Sequence, residues 1–434
     1  MTRVRTPSPP RLLAVFPDPP WRADSGSSLR DLEHLRTLVR LGIAPTVLCF
    51  VDSVPAPAPP EWLSCGAQLL PFVRRPDRPP VGLAAALRRG VGYMLRDLPL
   101  QRFANPRFAY PACYLYDTVD ALRRICEIAT QTNATAVLLR SWFLSYAKVL
   151  KEHGLTVIID AHDAQARAAS EIFRTLPPIR RWLSLPMVIA TRRLEARYLR
   201  YCDEVWAPSA EDVAYMRAIS AAPRFMVYPN LVALPDLGGS PGDRAGDDAM
   251  VGDREEILFI GNMAYPPNAA AATFLVTRIV PALRQLRPNV VTTVVGKDPP
   301  PQVVDAARAD PNILVVGCVP DVAPFYRRAA VVAVPIQQGA GTRVKVIEAL
   351  AFGKAVVTTQ KGVEGIRAHH GTHLLVADDP GDFARSLVDL LADPGARRRL
   401  GNEGRNLVRA HYADDVGCRI LAAESALLAG AGSR

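Results

Sequence analysis

The chain of 434 residues lacks the long apolar run that a membrane-spanning helix requires. The longest candidate, residues 182–190, is short and is bracketed by arginines. Residues 1–10 carry arginines but no following apolar segment with a cleavage site, which is not typical of a secretory signal. These absences predict a cytoplasmic protein without a spanning segment.

Several chemical signatures are missing as well. The seven cysteines are scattered and never closely paired, which favours neither a disulfide framework nor a zinc site. No Asp-x-Asp pair is present, so we expect no metal held by clustered carboxylates. The first predicted strand is followed by Gly26 alone, where a dinucleotide fingerprint needs three glycines, and no Walker-type phosphate loop occurs. Nicotinamide oxidoreductases and Walker-type triphosphatases are therefore disfavoured.

What remains is an ordinary globular composition with an uneven charge. Hydrophobic residues make up 49% and charged residues 22% of the chain, and its length favours two or three domains. Residues 1–237 hold 30 Lys and Arg against 21 Asp and Glu, a net +9, whereas residues 238–434 hold 22 against 21, a net +1. A basic half suits an anionic membrane or a phosphorylated ligand, while the lack of interleaved aromatics and of a known motif argues against nucleic acid. A solvated basic surface explains the charge equally well.

Short β-branched runs alternate with helical periodicity, which is typical of parallel sheets covered by helices. The predicted strands are 12–16, 46–51, 136–139, 156–160, 204–207, 225–228, 257–260, 290–295, 313–316, 330–334, 355–358 and 374–376. Between the first two strands an apolar helix face ends at Gly42. The pattern weakens over residues 55–111, which indicates loops and short helices. The fold class is therefore α/β.

A stretch rich in glycine and aspartate, residues 237–256, is typical of a solvated linker. It predicts an amino-terminal domain over 1–236 and a carboxyl-terminal domain over 257–412. Residues 413–434 are the predicted carboxyl-terminal helix, which we expect to pack back on the amino-terminal domain. Its amphipathic stretch, residues 419–428, follows a break near residues 412–417. Two similar α/β units therefore follow one another in the chain.

The segment after the predicted strand 330–334 carries a glycine loop and a helix. Gly339 and Gly341 permit close backbone approach, Thr342 is the predicted N-cap, and Gly353 is the predicted residue just beyond the helix end. A strand, a glycine loop and a helix start in this order leave free N–H groups that favour an anion.

Charged residues occupy the first turn of that helix. Lys345 and Glu348 are three residues apart and project from the same side. Together with Arg343 they place two cations at the positive helix end, which suits a diphosphate, and a carboxylate that can accept hydrogen bonds from a diol such as ribose. A Lys/Glu surface pair on a capped helix fits the same pattern.

Two further sites, at Gly26 and His162, have two interpretations each, and a group of histidines has one. Gly26 precedes a helix and is either an anion-binding position or part of an ordinary cap. His162 ends an apolar strand beside Asp163 and is either a functional residue or a hydrogen-bonded structural one. His369, His370 and His373 lack acidic or thiol companions, so we expect them on the surface.

The run 339–359, together with segments 361–366 and 374–379, resembles the donor-binding domain of glycosyltransferase family 4, a retaining GT-B family. Segments 259–268, 294–299 and 317–326 are similar to it too, so the resemblance covers nearly all of residues 255–415. In the first half it is looser and rests on segments 205–209, 228–230 and 160–163.

The resemblance implies two Rossmann-like domains with parallel sheets facing across a cleft, the donor on the carboxyl-terminal domain, the acceptor on the amino-terminal one, and a final helix crossing back. It implies that Glu348 binds the ribose of a nucleotide sugar and that Arg343 and Lys345 hold its diphosphate. The backbone near Val319 would face the base, and His162 would face the cleft. We add Gly26, Gly341 and Thr342 as donor-binding positions.

Two departures from the family pattern matter. Ala340 stands where the family has the first of two glutamates, and Asn262 stands where it has an arginine. A branch of the family with a Gly-Thr-Arg-x-Lys loop shares both changes, which implies that Arg343 replaces the missing cation.

The leading hypothesis is a metal-independent retaining transferase with no cofactor beyond its nucleoside-diphosphate sugar. Its hydroxyl acceptor would be a polysaccharide, a lipid-linked carrier or a small metabolite. A nucleotide-sugar epimerase of the same fold and an inactive sugar-nucleotide-binding scaffold are the alternatives. The basic half, with its arginine-bearing segments 83–98 and 180–200, predicts peripheral contact with an anionic membrane.

Overall fold

The computed structural model describes residues 10–22, 26–51, 68–73, 119–175, 178–235, 255–339 and 341–425. The chain divides into two compact units, one that runs to Pro229 and resumes at Gly417, and one that spans Asn230–Val416. The division thus precedes the predicted linker 237–256. Most of that linker, the segment 83–98 and Ala340 lie outside the described residues.

The amino-terminal unit is built on a parallel sheet in which the described strands follow the order β3-β2-β1-β4-β5-β6-β7. These strands are β1 Leu12–Phe16, β2 Thr46–Val51, β3 Gln68–Val73, β4 Ala136–Arg140, β5 Thr156–Asp160, β6 Glu204–Ala207 and β7 Arg224–Val227. Every residue of β1 and of β4 is buried, as expected for strands covered on both faces. The predicted α/β class is confirmed for this unit.

Strand β3 was not predicted. It lies within residues 55–111 and pairs in parallel with β2, from Thr46 opposite Gln68 to Val51 opposite Val73. Pro71 interrupts its sequence pattern, and proline is tolerated here because β3 stands at the end of the strand order.

The described helices of this unit cover the sheet and connect its strands. They are α1 Gly26–Arg40, α2 Val119–Gln131, α3 Ala147–Glu152, α4 Gln165–Thr175, α5 Pro178–Tyr198 and α6 Ala210–Ile219. Helix α1 ends as predicted, because Gly42 has a φ of 77° that suits glycine just beyond a helix.

The carboxyl-terminal unit repeats this architecture with the strand order β10-β9-β8-β11-β12-β13, all pairs being parallel. Its strands are β8 Glu256–Ile260, β9 Val291–Val295, β10 Ile313–Gly317, β11 Val331–Val334, β12 Ala355–Thr358 and β13 Leu375–Val376. Its α-helices are α7 Pro266–Phe274, α8 Val280–Leu286, α9 Pro301–Ala309, α10 Ala323–Arg328, α11 Val344–Ala351, α12 Gln360–Val363, α13 Pro380–Ala392 and α14 Pro394–His411. The second α/β unit predicted from the strand series is therefore present.

The last described helix, α15 Asp414–Glu424, begins five residues before the predicted Arg419. Ser425, just after it, donates a hydrogen bond of 2.9 Å to Glu204 on β6. The chain after Gly417 thus belongs with the amino-terminal unit, where Ser425 and Glu204 are both buried.

In both sheets the strand order reverses beside the first strand, between β1 and β4 and between β8 and β11. Ligands of open parallel sheets bind at the carboxyl ends of the strands next to such a reversal. Each unit therefore has one edge at which a ligand site is expected.

Candidate functional site

The loop between β11 and α11 shows why glycine is needed at its start. Gly339 has a φ of 106° and Gly341 a φ of 74°, in the left-handed region that other residues avoid. A Cβ on Gly339 would also lie 3.1 Å from Pro267 Cγ. The backbone at Gly339 thus lies close to the Pro267 side chain.

Helix α11 starts one residue later than predicted, so the predicted Thr342 cap is wrong. Arg343 is the N-cap residue, in extended conformation and without a side-chain cap bond. The Thr342 hydroxyl instead accepts a hydrogen bond from the buried Asn230 amide. At the other end, Gly353 has a φ of 65° directly after the helix, as predicted.

Arg343 turns back onto its own loop. Its guanidinium donates to the carbonyl oxygen of Gly341 at 2.7 Å and to that of Gly339, and the residue is buried. Arg343 therefore fixes the glycine loop and adds a buried positive charge to it. Its predicted contact with a diphosphate stays a prediction.

Lys345 lies at the carboxyl end of β8. Its Nζ donates a 2.6 Å hydrogen bond to Asn268 Oδ1 and lies 4.9 Å from the centre of the Phe259 ring. A Cβ on Gly261 would lie only 2.7 Å from this Nζ, so the glycine leaves room for the ammonium. Burial and the nearby Arg343 charge lower the pKa of Lys345 to about 7, although Glu348 opposes the shift.

Asn262 and Asn268 form a support for Lys345 that the sequence did not reveal. The Asn268 amide donates at 2.8 Å to the carbonyl of Asn262, and Asn262 Oδ1 accepts from the Ala264 N–H at 3.1 Å. Asn268 thus faces Lys345 with its oxygen. The replacement of the expected arginine by Asn262 was the available signal.

Glu348 lies one turn along α11 from Lys345, and both are half-buried. Burial raises the pKa of the Glu348 carboxyl, while the Lys345 charge and the Tyr326 hydroxyl oppose the shift. Tyr326 is fully buried and stacks on Phe352 with ring centres 4.7 Å apart. The structure thus places Lys345 and Glu348 one turn apart on α11, close enough for the Lys345 charge to act on the Glu348 carboxyl.

Two other predicted donor positions, Val319 and Gly26, belong to other segments of the fold. Val319 follows β10 and packs half-buried against the core of the carboxyl-terminal unit. Gly26 is the exposed first residue of α1 in the amino-terminal unit. His369 and His370 are exposed, as predicted, and His373 is half-buried beside His369.

The amino-terminal unit carries a buried polar cluster at the carboxyl ends of β4 and β5. Arg30 donates to Asp160 Oδ1 at 2.7 Å, and Arg140 pairs with Asp31 at 2.8 Å. All four side chains are almost fully buried. Two guanidinium groups thus balance two carboxylates, which is how buried charges are tolerated.

His162 is the member of this cluster that reaches solvent. Its Nε2 lies 3.0 Å from Asp160 Oδ2 and 3.1 Å from Asp31 Oδ1, and 15% of its side chain is exposed. His34, by contrast, is fully buried, and burial lowers the pKa of its imidazole even though Asp160 opposes this. His162 is therefore hydrogen-bonded and also accessible, and its functional role stays a prediction.

Asp31, Asp160 and His162 bring three ligand atoms within 4.8 Å of one another, close enough to hold a metal ion. The two carboxylates already accept hydrogen bonds from Arg30 and Arg140. A divalent cation would have to displace these guanidinium groups or share the carboxylates with them.

Among the described residues, no helix combines the length and the apolar composition needed to cross a bilayer.

Comparison with known families identifies the domain around Lys345. Residues 254–393 match the family described as glycosyl transferases group 1, and this span contains Gly261, Lys345 and Glu348. The match lies within the carboxyl-terminal unit and covers about a third of the chain.

Two curated proteins share part of the sequence. A D-inositol 3-phosphate glycosyltransferase of Streptomyces bingchenggensis is 35% identical over 108 residues, which are 24% of this chain and 22% of that protein. An uncharacterized 44.6 kDa protein in the cps region of Klebsiella pneumoniae is 22% identical over 163 residues, which are 36% of this chain and 42% of that protein. The chain thus matches less than half the length of either relative.

Solved structures share the fold over nearly the whole chain. Sucrose-phosphate synthase from Thermosynechococcus elongatus has a TM-score of 0.69 at 16% identity and covers 95% of this chain and 98% of its own. HepE of Anabaena in complex with UDP-glucose has a TM-score of 0.63 at 12% identity, with the same coverage. At these identities the likeness concerns the fold, and the predicted GT-B class with two Rossmann-like domains is confirmed.

Proposed function

We propose that the chain is a glycosyltransferase that moves a sugar from a nucleoside-diphosphate sugar to a hydroxyl acceptor and retains the anomeric configuration. The observation that carries this proposal is the Lys345–Glu348 pair at the start of a helix that follows a glycine loop. The match to glycosyl transferases group 1 supports it, as does the fold shared with HepE, which was solved with UDP-glucose.

In this proposal the donor binds along the edge formed by the glycine loop and Lys345. The Lys345 ammonium and the backbone N–H groups of Gly341 and Thr342 are proposed to bind the diphosphate, because Lys345 and the buried Arg343 charge lie at the start of a helix. Glu348 accepts hydrogen bonds from the ribose hydroxyls. The backbone near Val319 faces the base.

The transfer step needs little covalent chemistry from the protein. The acceptor oxygen bonds to the anomeric carbon on the face that the diphosphate leaves, and the carbon–oxygen bond to the diphosphate breaks with its electron pair on the phosphate oxygen. The acceptor proton passes to that departing oxygen. Lys345 and the buried charge of Arg343 stabilise the negative charge as it develops, so the proposal needs no metal.

Two further proposals concern residues of the amino-terminal unit. His162 reaches solvent from its two carboxylates and is proposed to hold a sugar hydroxyl during transfer. Gly26 opens the 15-residue helix α1, and its exposed N–H end is proposed to contact a phosphate.

Calorimetry on the Lys345→Ala variant tests the donor site. Loss of one charge-assisted contact should weaken binding of UDP and UDP-sugars by roughly ten- to a hundredfold. Thermal stability should change little, because Lys345 is half-buried and its partner Asn268 keeps its bond to Asn262. Lys148→Ala, at an exposed lysine of the other unit, is the matched control. Unchanged affinity in Lys345→Ala would refute the assignment.

A further inference from the structure

Helix α5 exposes apolar side chains along much of its length. Ile179 is 78% exposed and Trp182 72%, and Leu185 and Ile189 are exposed too. Their spacing of three, three and four residues places them along one side of the helix. Single exposed apolar residues are common, whereas a continuous stripe that contains a tryptophan indicates an interaction surface.

The other side of the same helix is anchored in the protein. Leu194 and Tyr198 are buried in the core of the amino-terminal unit, and Thr191 is buried beside them. The carboxyl-terminal half of the helix therefore packs against the core of the amino-terminal unit. The apolar stripe begins in the half that precedes these anchors.

The exposed side of helix α5 also carries positive charge. Arg181, Arg192, Arg193 and Arg197 are exposed on this helix, and Glu195, its one acidic residue, is buried. At about 100° per residue, Arg193 and Arg197 lie next to the apolar stripe, and Arg181 and Arg192 border it on the other side. The exposed side thus combines aliphatic and aromatic groups with positive charge and carries no carboxylate.

We propose that this docking face, formed by Ile179, Trp182, Leu185, Ile189 and the four arginines, binds the surface of an anionic lipid bilayer. Amphipathic helices of this kind lie in the membrane interface, with tryptophan and aliphatic groups among the acyl chains and arginines at the headgroups. Each arginine near an anionic leaflet raises membrane partitioning by about fivefold, so several together give binding that salt weakens.

The docking face belongs to the amino-terminal unit and does not depend on the Lys345 site. If the proposed transfer is also correct, a face of this kind keeps the enzyme at the surface where a lipid-linked hydroxyl acceptor is found. The two proposals can therefore fail separately.

Vesicle flotation of the full chain tests the docking face. Wild-type protein should float with vesicles of phosphatidylcholine and phosphatidylglycerol at low salt, and with pure phosphatidylcholine vesicles far less. Binding should decline as salt rises toward 1 M, because the Debye length then shrinks to about 3 Å. Absence of binding to the anionic vesicles at low salt would overturn the proposal.

Variants separate the docking face from the general basic charge. Ile179→Ser with Trp182→Ser, and separately Arg192→Gln with Arg193→Gln and Arg197→Gln, should each lower vesicle binding by at least about tenfold. Leu314→Ser, at a residue of the other unit that is 44% exposed, is the apolar control. Arg308→Gln with Arg385→Gln, at exposed arginines of that unit, is the charge control. Equal binding by the docking-face variants and the controls would contradict the proposal.

Two further measurements make the outcome specific. The emission of Trp182, obtained as the wild-type spectrum minus that of Trp182→Phe, should shift to shorter wavelength when anionic vesicles are added. The melting temperature and the far-ultraviolet circular dichroism should stay unchanged in the docking-face variants, which shows that they are folded. A self-association of the wild type that Trp182→Ser abolishes, without any vesicle binding, would assign the face to a second copy of the chain and reject the bilayer.

Discussion

Binding of a nucleoside-diphosphate sugar should draw a proton from solution through Lys345. Burial and the Arg343 charge lower the pKa of this ammonium to about 7 in the ligand-free protein. A diphosphate within hydrogen-bonding distance favours the charged form and returns the pKa toward its ordinary value of about 10.4. Lys345 is therefore about half protonated at pH 7 before binding and almost fully protonated afterwards.

The size of the effect follows from these two states. Binding should take up about half a proton at pH 7 and about 0.9 of a proton at pH 8. Affinity should fall by about fiftyfold from pH 7 to pH 9, because the protonated fraction of the free site drops from about one half to about one hundredth. Below about pH 6 Lys345 is charged in both states, and its contribution to the pH dependence ends.

Calorimetry in two buffers of different ionisation enthalpy measures the proton uptake directly. The ligand is a sugar nucleotide, because its diphosphate does not titrate between pH 7 and pH 9. The tightest-binding member of a sugar-nucleotide panel is used. Glu348→Gln serves as a second background, because burial also raises the pKa of the Glu348 carboxyl.

Lys345→Arg is the matched control, since a guanidinium keeps its charge across this range and should bind with little proton uptake. A wild-type protein that takes up no more protons than Lys345→Arg between pH 7 and pH 8 would refute the reasoning.

Five other variants and conditions test the account. Gly261→Ala should weaken sugar-nucleotide binding about tenfold with little change in melting temperature, since the new Cβ would lie 2.7 Å from the movable Nζ of Lys345. Normal affinity would show that the Lys345 ammonium does not contact the sugar nucleotide. Gly296→Ala should instead lower the melting temperature markedly, because its Cβ would lie 1.9 Å from the Gly261 backbone oxygen, and a wild-type melt would be inconsistent with that packing. Glu348→Gln should reduce binding of a ribonucleotide more than binding of its 2′,3′-dideoxy analogue, and equal losses in calorimetry would remove the ribose contact. Sugar transfer should survive a strong chelator because Lys345 supplies the positive charge, so activity lost on chelation and restored by Mg²⁺ would contradict the metal-independent proposal. Burial raises the pKa of Glu195 to about 8, so between about pH 5 and pH 8 the folded protein keeps a proton that the unfolded chain releases. This group should therefore lower the wild-type free energy of unfolding by up to about 1.4 kcal/mol per pH unit as pH rises through that range. If denaturant titrations of Glu195→Gln show the same slope as the wild type, Glu195 is not the source of the pH dependence.

Local patterns predicted the two sheets because each buried parallel strand is a short apolar run between helices. The strands Thr156–Asp160 and Ala355–Thr358 have the predicted bounds. Strand β3 was missed because Pro71 breaks its run, and the position at the end of the strand order that tolerates this proline is a property of the whole sheet.

The sequence predicted the candidate site only where its residues are close together in the chain. Lys345 and Glu348 are three residues apart, so helix geometry alone puts them together. The Thr342 cap failed because Asn230, its partner, is 112 residues away. The polar cluster around Asp31 joins residues 109 and 131 positions apart, and no local pattern connects them.

The boundary between the two units also depends on residues that are far apart in the chain. Composition marks residues 237–256 as solvated, but Asn230 and Val232 already belong to the carboxyl-terminal unit. Asn230 bonds to Thr342, and Val232 forms a bridge with Ala413. A linker can be recognised from polar composition, whereas the end of a unit depends on such distant contacts.

Acceptor-dependent sugar transfer is the direct test of the central claim. Full-length protein is incubated with a panel of sugar nucleotides, with and without hydroxyl acceptors, and the products are resolved by nuclear magnetic resonance. The account predicts release of a nucleoside diphosphate only with an acceptor, a glycoside with the anomeric configuration of the donor, and loss of both in Lys345→Ala. Release of free sugar without an acceptor, or tight binding of a sugar nucleotide with no product, would contradict it.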